Sequence, residues 1–429
     1  MNPRVAAHRI LVESRGGRFA DHVAERVLPE VPMQDRGLVL EIAYGCLRLR
    51  NRLDTRIAAL TDRPLRRVEP EVLDWLRSGV YELTEMRTPA HAAVHETVKQ
   101  ARRAGSSGAA GFINAVLRAA SAGPPDPFPA REDDPTEYFT TYGSHPRWLV
   151  RRWLDRWSEH DVASLIEHGN SRPPVVLRML DANPSEALAN ARRAGVELRH
   201  LEAWPGSYRL EQGSPADALG RLTAVIQDPA ASAVVDCLGD EVSPPVYDAC
   251  AAPGTKTMGL AVRTRGLVVA ADPSARRLAR IGPAARRLGL DVKCVVADGR
   301  RPAVSSAGTV LADVPCTGTG VLRRRPDARW RIDAEGLETL VSLQREILDA
   351  CAEIVEEGGT LIYSTCSLEP EENEMQISRF LRGHSGFVRD SLPSDAFPDG
   401  CLTNAGDLFI RPWLYGTDGA YAARLRRVH

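Results

Sequence analysis

The sequence predicts an all-α N-terminal domain followed by an α/β domain with a doubly wound, mostly parallel sheet. A small α+β subdomain is expected just before that sheet. Three observations carry this reading. Apolar residues in the first 122 positions recur at helical spacing, as at Leu38, Ile42, Leu49, Leu53, Ile57 and Leu60. The stretch AGPPDPFPAREDDPTE has five prolines in sixteen residues and a charge cluster, which is linker composition. Beyond it, strand-like apolar runs alternate with helical stretches, and βαβ repetition implies a parallel sheet covered on both faces.

The elements follow in order. RGLVLEIAYGCLRLRNRLDTRIAAL, EPEVLDWLRSGVYELTEM, AAVHETVKQARRAG and AAGFINAVLRAAS read as helices of residues 1–122. The linker spans 123–137. Residues 138–225 open with the helix HPRWLVRRWLDRW. The strand PPVVLRML, the helix NPSEALANARRAG and the strand VELRHL follow. From 226 to 429 the strands are PPVYDACA, GLVVAADP, DVKCVVAD, GTVLADVP and GGTLIYST, with helices near 255–264, 274–288, 335–356 and 370–382. GAYAARLRR is expected to close an edge of the sheet.

Composition removes several classes. With 43% hydrophobic residues, the 429-residue chain can build real cores. Its apolar runs are short and broken by charge, so neither a membrane span nor a signal peptide is expected, and the cytoplasm is the default location. No two of the eight cysteines have C-x-x-C spacing, and His91 and His95 lack a third ligand nearby, so no metal is expected. The net charge of −1 argues against a uniformly basic coat, but RRRPDARWR (323–331) concentrates five arginines around one aspartate. Only three of the 55 basic residues are lysines: Lys99, Lys256 and Lys293. Lysine is a compact point charge where arginine is a wide fork, which draws attention to Lys256.

Chemistry in open α/β sheets gathers at the carboxyl ends of the strands. There, DACAAPGTK (248–256) is a small-residue loop entering a helix. It is neither G-x-G-x-x-G nor a P-loop, which disfavours dinucleotides and nucleoside triphosphates and leaves a smaller nucleoside ligand. Asp272 ends the second strand, where an acid commonly accepts ribose hydroxyls. Asp298, Asp313 and Cys366 end the third, fourth and fifth, and Cys316 follows Asp313 by three residues. Singly, each could be a cap or turn residue. Two cysteines beside nucleoside-binding acids suggest pyrimidine chemistry. A thiolate adding at carbon 6 of cytosine turns carbon 5 into a nucleophile that can take a methyl group from a sulfonium. A second group must then help remove the carbon-5 proton and expel the thiol.

DACAAPGTKT, DVPCTGTG, RRRPDARW and YSTCS resemble the motifs of the RsmB-type RNA cytosine-5 methyltransferases, and residues 1–122, including FINAVLR, are similar to that family's NusB-like RNA-binding domain. The resemblance covers nearly the whole chain. It implies a Rossmann-like methyltransferase sheet at 226–429, S-adenosylmethionine as cofactor and RNA as partner. Small-subunit (16S) rRNA is the expected substrate, with transfer RNA, or a non-catalytic RNA-binding role, as alternatives. A monomer is expected. By resemblance, Cys366 attacks carbon 6, Cys316 assists product release, and Asp313 and Lys256 lie beside the reacting groups. The loop Cys250, Ala251, Ala252, Pro253, Gly254, Thr255 and Lys256 holds the donor, with Asp272 at its ribose, Asp298 near its adenine and Asp313 at its methionine end. Arg323, Arg324, Arg325 and Arg329 touch RNA phosphate. Thr255 stands where the family has a second glycine, and Val314 where it has alanine. A positive φ at Thr255 would strain a β-branched residue and weaken donor binding, whereas an αR conformation there would leave binding unaffected.

Overall fold

The computed structural model describes residues 1–123, 126–181, 183–239, 242–393 and 395–429. Pro124 and Pro125 of the expected linker lie outside the described residues. The chain forms two compact units, 1–172 with 322–332, and 173–321 with 333–429.

The first unit is helical: Pro3–Arg15, Ala20–Val27, Arg36–Arg48, Arg50–Ala59, Pro70–Thr84, Ala90–Arg103, Ala110–Ser121, Pro135–Thr141, Arg147–Arg156 and Glu159–Asn170. The run expected as one long helix from Arg36 breaks at Leu49. Ile10, Ile42, Leu53, Ile57, Trp75, Leu76 and Ile113 make its core. Close packing is set by Gly45, where a Cβ would sit 2.0 Å from the Tyr81 ring. The helices of 138–170 lie in this unit, and a helix starts at Pro135, within the expected linker. The arginine-rich run also belongs to this unit, as a segment that packs among the helices.

The second unit has two sheets. The smaller is antiparallel, in the order β2-β3-β1-β4, from β1 (Val176–Met179), β2 (Glu197–His200), β3 (Ser207–Gln212) and β4 (Ala224–Ile226). Leu177 and Met179 pack on Ala191 and Ala218 of the helices Ser185–Arg193 and Pro215–Leu219.

The larger sheet contains β5 (Val246–Asp248), β6 (Val268–Asp272), β7 (Lys293–Val296), β8 (Ala307–Asp313), β9 (Val355–Thr365), β10 (Phe387–Arg389), β11 (Leu408–Ile410) and β12 (Ala420–Arg427). Its order is β10-β12-β9-β8-β5-β6-β7, with β11 also on β12. The five strands β5 to β9 are parallel, and β12 is antiparallel to β9. Alternation along β9 sends Leu361 and Tyr363 to one core and Ile362 to the other. The first core takes Ile347, Leu348 and Phe380 from the helices Ala334–Glu353 and Glu374–Gly383. The second takes Ala233 and Leu260 from Pro229–Asp236 and Thr255–Ala261.

The C-terminal strand is a correction: β12 lies inside the sheet, paired with β9 on one side and with β10 and β11 on the other. Those two partners are three residues each, too short to show a period in sequence. The helix expected at 274–288 is two, Ala275–Leu278 and Ile281–Leu288, because Pro283 has no N–H to continue the ladder.

Candidate active site

Parallel pairing of β8 and β9 sets Asp313 opposite Ser364. Cys316 lies three residues past the first and Cys366 two past the second, so both thiols emerge at the same sheet edge. Their sulfurs are 3.3 Å apart. Beside them Lys256 Nζ donates to Asp313 Oδ2 at 2.7 Å and Ser364 Oγ donates to Asp313 Oδ1 at 2.8 Å. Burial alone would lower the Lys256 pKa, but the charge and hydrogen bond of Asp313 outweigh it and raise it; Cys366 and Asp248 add smaller pulls. Lys256 is thus the ammonium that the carboxylates and Cys366 share. The hydrogen bond to Cys366 and burial push the Cys316 thiol well up, so Cys316 keeps its proton at neutral pH and can donate it toward Cys366.

The loop expected to hold the donor is built from the same edge. Ala249 N bonds Leu311 O and Ala251 N bonds Ala271 O, tying the loop's start to β8 and β6. Ala251 and Ala252 are buried; Pro253 is exposed. The left-handed residue is Gly254, at φ 105°, where a Cβ would also lie 2.7 Å from Ile281 Cγ1. Thr255 is the first residue of the following helix, with Gln227 Nε2 on its hydroxyl at 3.3 Å. Of the two alternatives for Thr255 the helical, unstrained one is found: the positive φ falls one residue earlier, on a glycine. The Cys250 sulfur packs in the sheet, 3.4 Å from where a Cβ on Gly299 would be, and burial pushes its thiol well up. Cys250 is thus half-buried against the core of the larger sheet. Val314 is 4% exposed and belongs to the core.

Asp272 ends β6, with Ser274 N on Oδ1 at 2.9 Å and Arg277 Nη1 3.2 Å from Oδ2. The other arm of Arg277 reaches the Ala252 carbonyl, so this guanidinium links Asp272 to the loop 250–256. Asp298 stands two residues beyond β7. Arg300 side-chain and backbone hydrogen bonds hold its carboxyl down at about 2.

The arginine run belongs to the first unit. Arg329 is fully buried in the first unit. Its guanidinium donates to the carbonyls of Arg48 (3.1 Å), Ser144 (3.0 Å) and Gly169 (2.9 Å) and to Asn170 Oδ1 (2.9 Å). A guanidinium committed to carbonyls inside a core cannot meet a phosphate, which corrects the expectation for Arg329. Arg323 is buried as well, Arg324 is half-buried, and Arg325 is exposed.

Sequence reasoning missed three groups. Asp248, the first residue of the donor motif, is 1% exposed, accepts from Thr257 Oγ1 at 2.7 Å and leaves Oδ1 without a partner; burial raises its carboxyl to about 7. Ser364 was visible only as part of YSTCS. Glu372 and Asn373 lie beneath the two cysteine loops, both fully buried. The helix expected at 370–382 starts later, at Glu374. Instead Pro370 starts a single 3-10 turn that carries Glu372 inward, and burial raises its carboxyl. Among the described residues, no group of three or more His, Cys, Asp or Glu could hold a metal, and no helix is long and apolar enough to cross a membrane.

Three family models match: 16S rRNA methyltransferase RsmB/F over residues 237–426, NusB over 1–122, and an RsmF/B-like ferredoxin-like domain over 145–217. Ribosomal RNA small subunit methyltransferase B of Pseudomonas putida is 34% identical, covering 100% of this chain and 99% of that protein. The probable counterpart of Bacillus subtilis is 31% identical over 93% of this chain and 92% of its own. Among solved structures, PH0851 shares the fold across the whole chain (TM-score 0.81, 24% identity, 100% and 99% covered). NSun6 from Pyrococcus horikoshii, crystallised with SFG, shares the fold over 66% of this chain and 98% of its own (TM-score 0.57, 19% identity). Given this edge of paired thiols and acids, and relatives that run the length of the chain, the protein belongs to the RsmB/F family of S-adenosylmethionine-dependent methyltransferases.

Proposed function

We propose that the chain methylates carbon 5 of a cytosine in small-subunit ribosomal RNA through a covalent adduct between Cys366 and carbon 6. The observation that carries this is the pair of sulfurs 3.3 Å apart beside the Lys256–Asp313 ion pair. The substrate follows the relatives, whose names specify the small-subunit RNA.

The residues fit the donor. Gly254 leaves a cradle that a Cβ would fill, Asp248 Oδ1 is a buried acceptor still without a partner, and Asp272 stands at the strand end that suits a ribose. The loop from Cys250 to Lys256, Asp272, Asp298 and Asp313 would hold it, and when bound it supplies an electrophilic methyl group on a sulfonium.

The protein's part is the following. Cys366 adds as thiolate to carbon 6, its electron pair forming the C–S bond while the ring's 5,6-double-bond electrons make carbon 5 nucleophilic. Lys256 opposes negative charge on the sulfur and the ring as it develops. After carbon 5 is methylated, its proton passes to a water molecule acting as base. That electron pair restores the double bond, and the C–S pair returns to Cys366. Cys316, within hydrogen-bond reach of that sulfur, assists the release.

The test uses labelled S-adenosylmethionine and small-subunit RNA, free and in subunits, from cells lacking the protein. Wild type should place label in 5-methylcytosine, Cys366→Ala none, and Cys316→Ala should leave RNA attached to protein in a denaturing gel. Transfer to tRNA alone would move the substrate. RNA binding without any transfer would sink the enzymatic reading.

A further inference from the structure

Neither cysteine sits on a regular element. Each follows a strand end, on a loop that must be fixed by something else if the sulfurs are to stay 3.3 Å apart. Two consecutive buried residues do this. Glu372 Oε1 accepts from Thr317 N at 2.8 Å, and Oε2 accepts from the Thr317 hydroxyl. Gln344 Nε2 donates to Glu372 Oε1 at 2.8 Å and to Pro315 O at 3.0 Å. Pro315 and Thr317 are the residues on either side of Cys316. Asn373 serves the other loop: Thr365 Oγ1 donates to its Oδ1 at 2.6 Å, and its Nδ2 donates to Ser367 O at 2.9 Å. Thr365 and Ser367 are the residues on either side of Cys366. The halves are joined by Thr317 and Ser367 hydroxyls 3.1 Å apart, and Tyr363 OH holds the Glu372 carbonyl at 2.6 Å.

We propose that Glu372 and Asn373 are positioning residues that together set the spacing of the two thiols, Glu372 acting on Cys316 and Asn373 on Cys366. Their effect on turnover rests on the two-cysteine reaction above; their effect on thiol spacing does not. Glu372 works as an acceptor of fixed geometry. Gln can keep its oxygen on Thr317 N and Gln344 while its amide donates to the Thr317 hydroxyl, which then turns to Ser367. Glu372→Gln should therefore rescue what Glu372→Ala loses.

Two readouts separate this from a general loss of structure. The first is capture of the thiol pair in the RNA-free protein by phenylarsine oxide, which joins two thiols to one arsenic with loss of one water. Cys316→Ala and Cys366→Ala define the signal. Glu372→Ala and Asn373→Ala should each capture at least ~10-fold more slowly, as displacement of about 1 Å costs when groups must meet. Glu372→Gln should stay within ~3-fold of wild type on the same geometric argument. S-adenosylmethionine affinity should change less than ~2-fold in all three, since none touches the donor loop. The second readout is turnover. Glu372→Ala should lower kcat more than it alters KM and accumulate the RNA adduct, as a misplaced Cys316 would. Asn373→Ala should slow adduct formation without accumulation.

Unchanged arsenical capture in Glu372→Ala overturns the proposal, as does a Gln variant as impaired as the Ala variant, which would assign the role to charge. Donor affinity falling in parallel would also overturn it, reducing the pair to fold stabilisers. Should Glu372→Ala fail to fold, Thr317→Val, which removes only the hydroxyl arm, must still slow capture. Normal capture changes with no cytosine methylation by wild type would uphold the clamp and reject the reaction.

Discussion

At the scale of single residues, the donor loop turns on one position. Gly254 combines a φ of 105° with a Cβ site 2.7 Å from Ile281, so Gly254→Ala is both strained and crowded. It should cost about 1–3 kcal/mol of stability and weaken S-adenosylmethionine binding measurably by calorimetry. Thr255→Gly, which restores the family pattern, should leave donor affinity nearly unchanged, because Thr255 is already helical. A large gain in affinity would show that the threonine does impair the site. Asp248 gives a pH dependence. Burial lifts its carboxyl from 3.8 to about 7, so between those values the folded protein keeps a proton that the unfolded chain has released. Stability therefore falls as pH rises through this window and is flat above it, by on the order of a few kcal/mol in all. Asp248→Asn removes that titration. It should raise the melting temperature more at pH 8 than at pH 5, and an equal shift at both would refute the assignment.

At the scale of elements, the two parallel strands β8 and β9 bring the chemistry together, and β12 seals it. Gly320 N bonds Cys366 O at 3.0 Å, and Gly419 N, just before β12, bonds Gly320 O at 2.8 Å. A Cβ on Gly320 would meet both Cys366 O and Gly419 Cα at 2.8 Å, and neither backbone atom can swing away as a side chain could. Gly320→Ala should therefore lower thermal stability and slow transfer together, whereas substitutions in the short strand β10 should affect stability alone. The parallel run β5 to β9 was legible because buried strands read as continuous apolar stretches. The inward path of Glu372 was not, because four acids in EPEENE look like a solvated helix start until the tertiary structure supplies Thr317 and Gln344 as donors.

At the scale of the molecule, residues 322–332 belong to the first unit although the chain on both sides belongs to the second. Arg329 anchors the segment there, Trp330 Nε1 bonds Leu47 O at 2.6 Å, and Arg331 donates to Ser14 O at 2.8 Å and Gly17 O at 2.9 Å. Arg329→Met strips several buried acceptors of their donor and should destabilise the first unit by ~2–4 kcal/mol, seen as lost hydrogen-exchange protection of the segment with donor affinity unchanged. Arg325, exposed, is the member of the run still free to meet phosphate. Arg325→Ala should weaken RNA binding with a salt slope lower by about 1, and an unchanged slope would remove it from the interface.

The sequence by itself determined the helical first domain, the parallel sheet and the edge that carries Asp272, Asp313, Cys316 and Cys366. These follow from local periodicity and from motifs a few residues long, which survive without knowledge of distant neighbours. Only the tertiary structure decided which arginines are surface and which are core, that the positive φ belongs to Gly254, and that Glu372 and Asn373 underlie the thiols. Glu372 meets Gln344 and Thr317, 28 and 55 residues away in the chain, and Arg329 meets Arg48, 281 away. Charge and polarity in a sequence do not say whether a partner will come from water or from another segment.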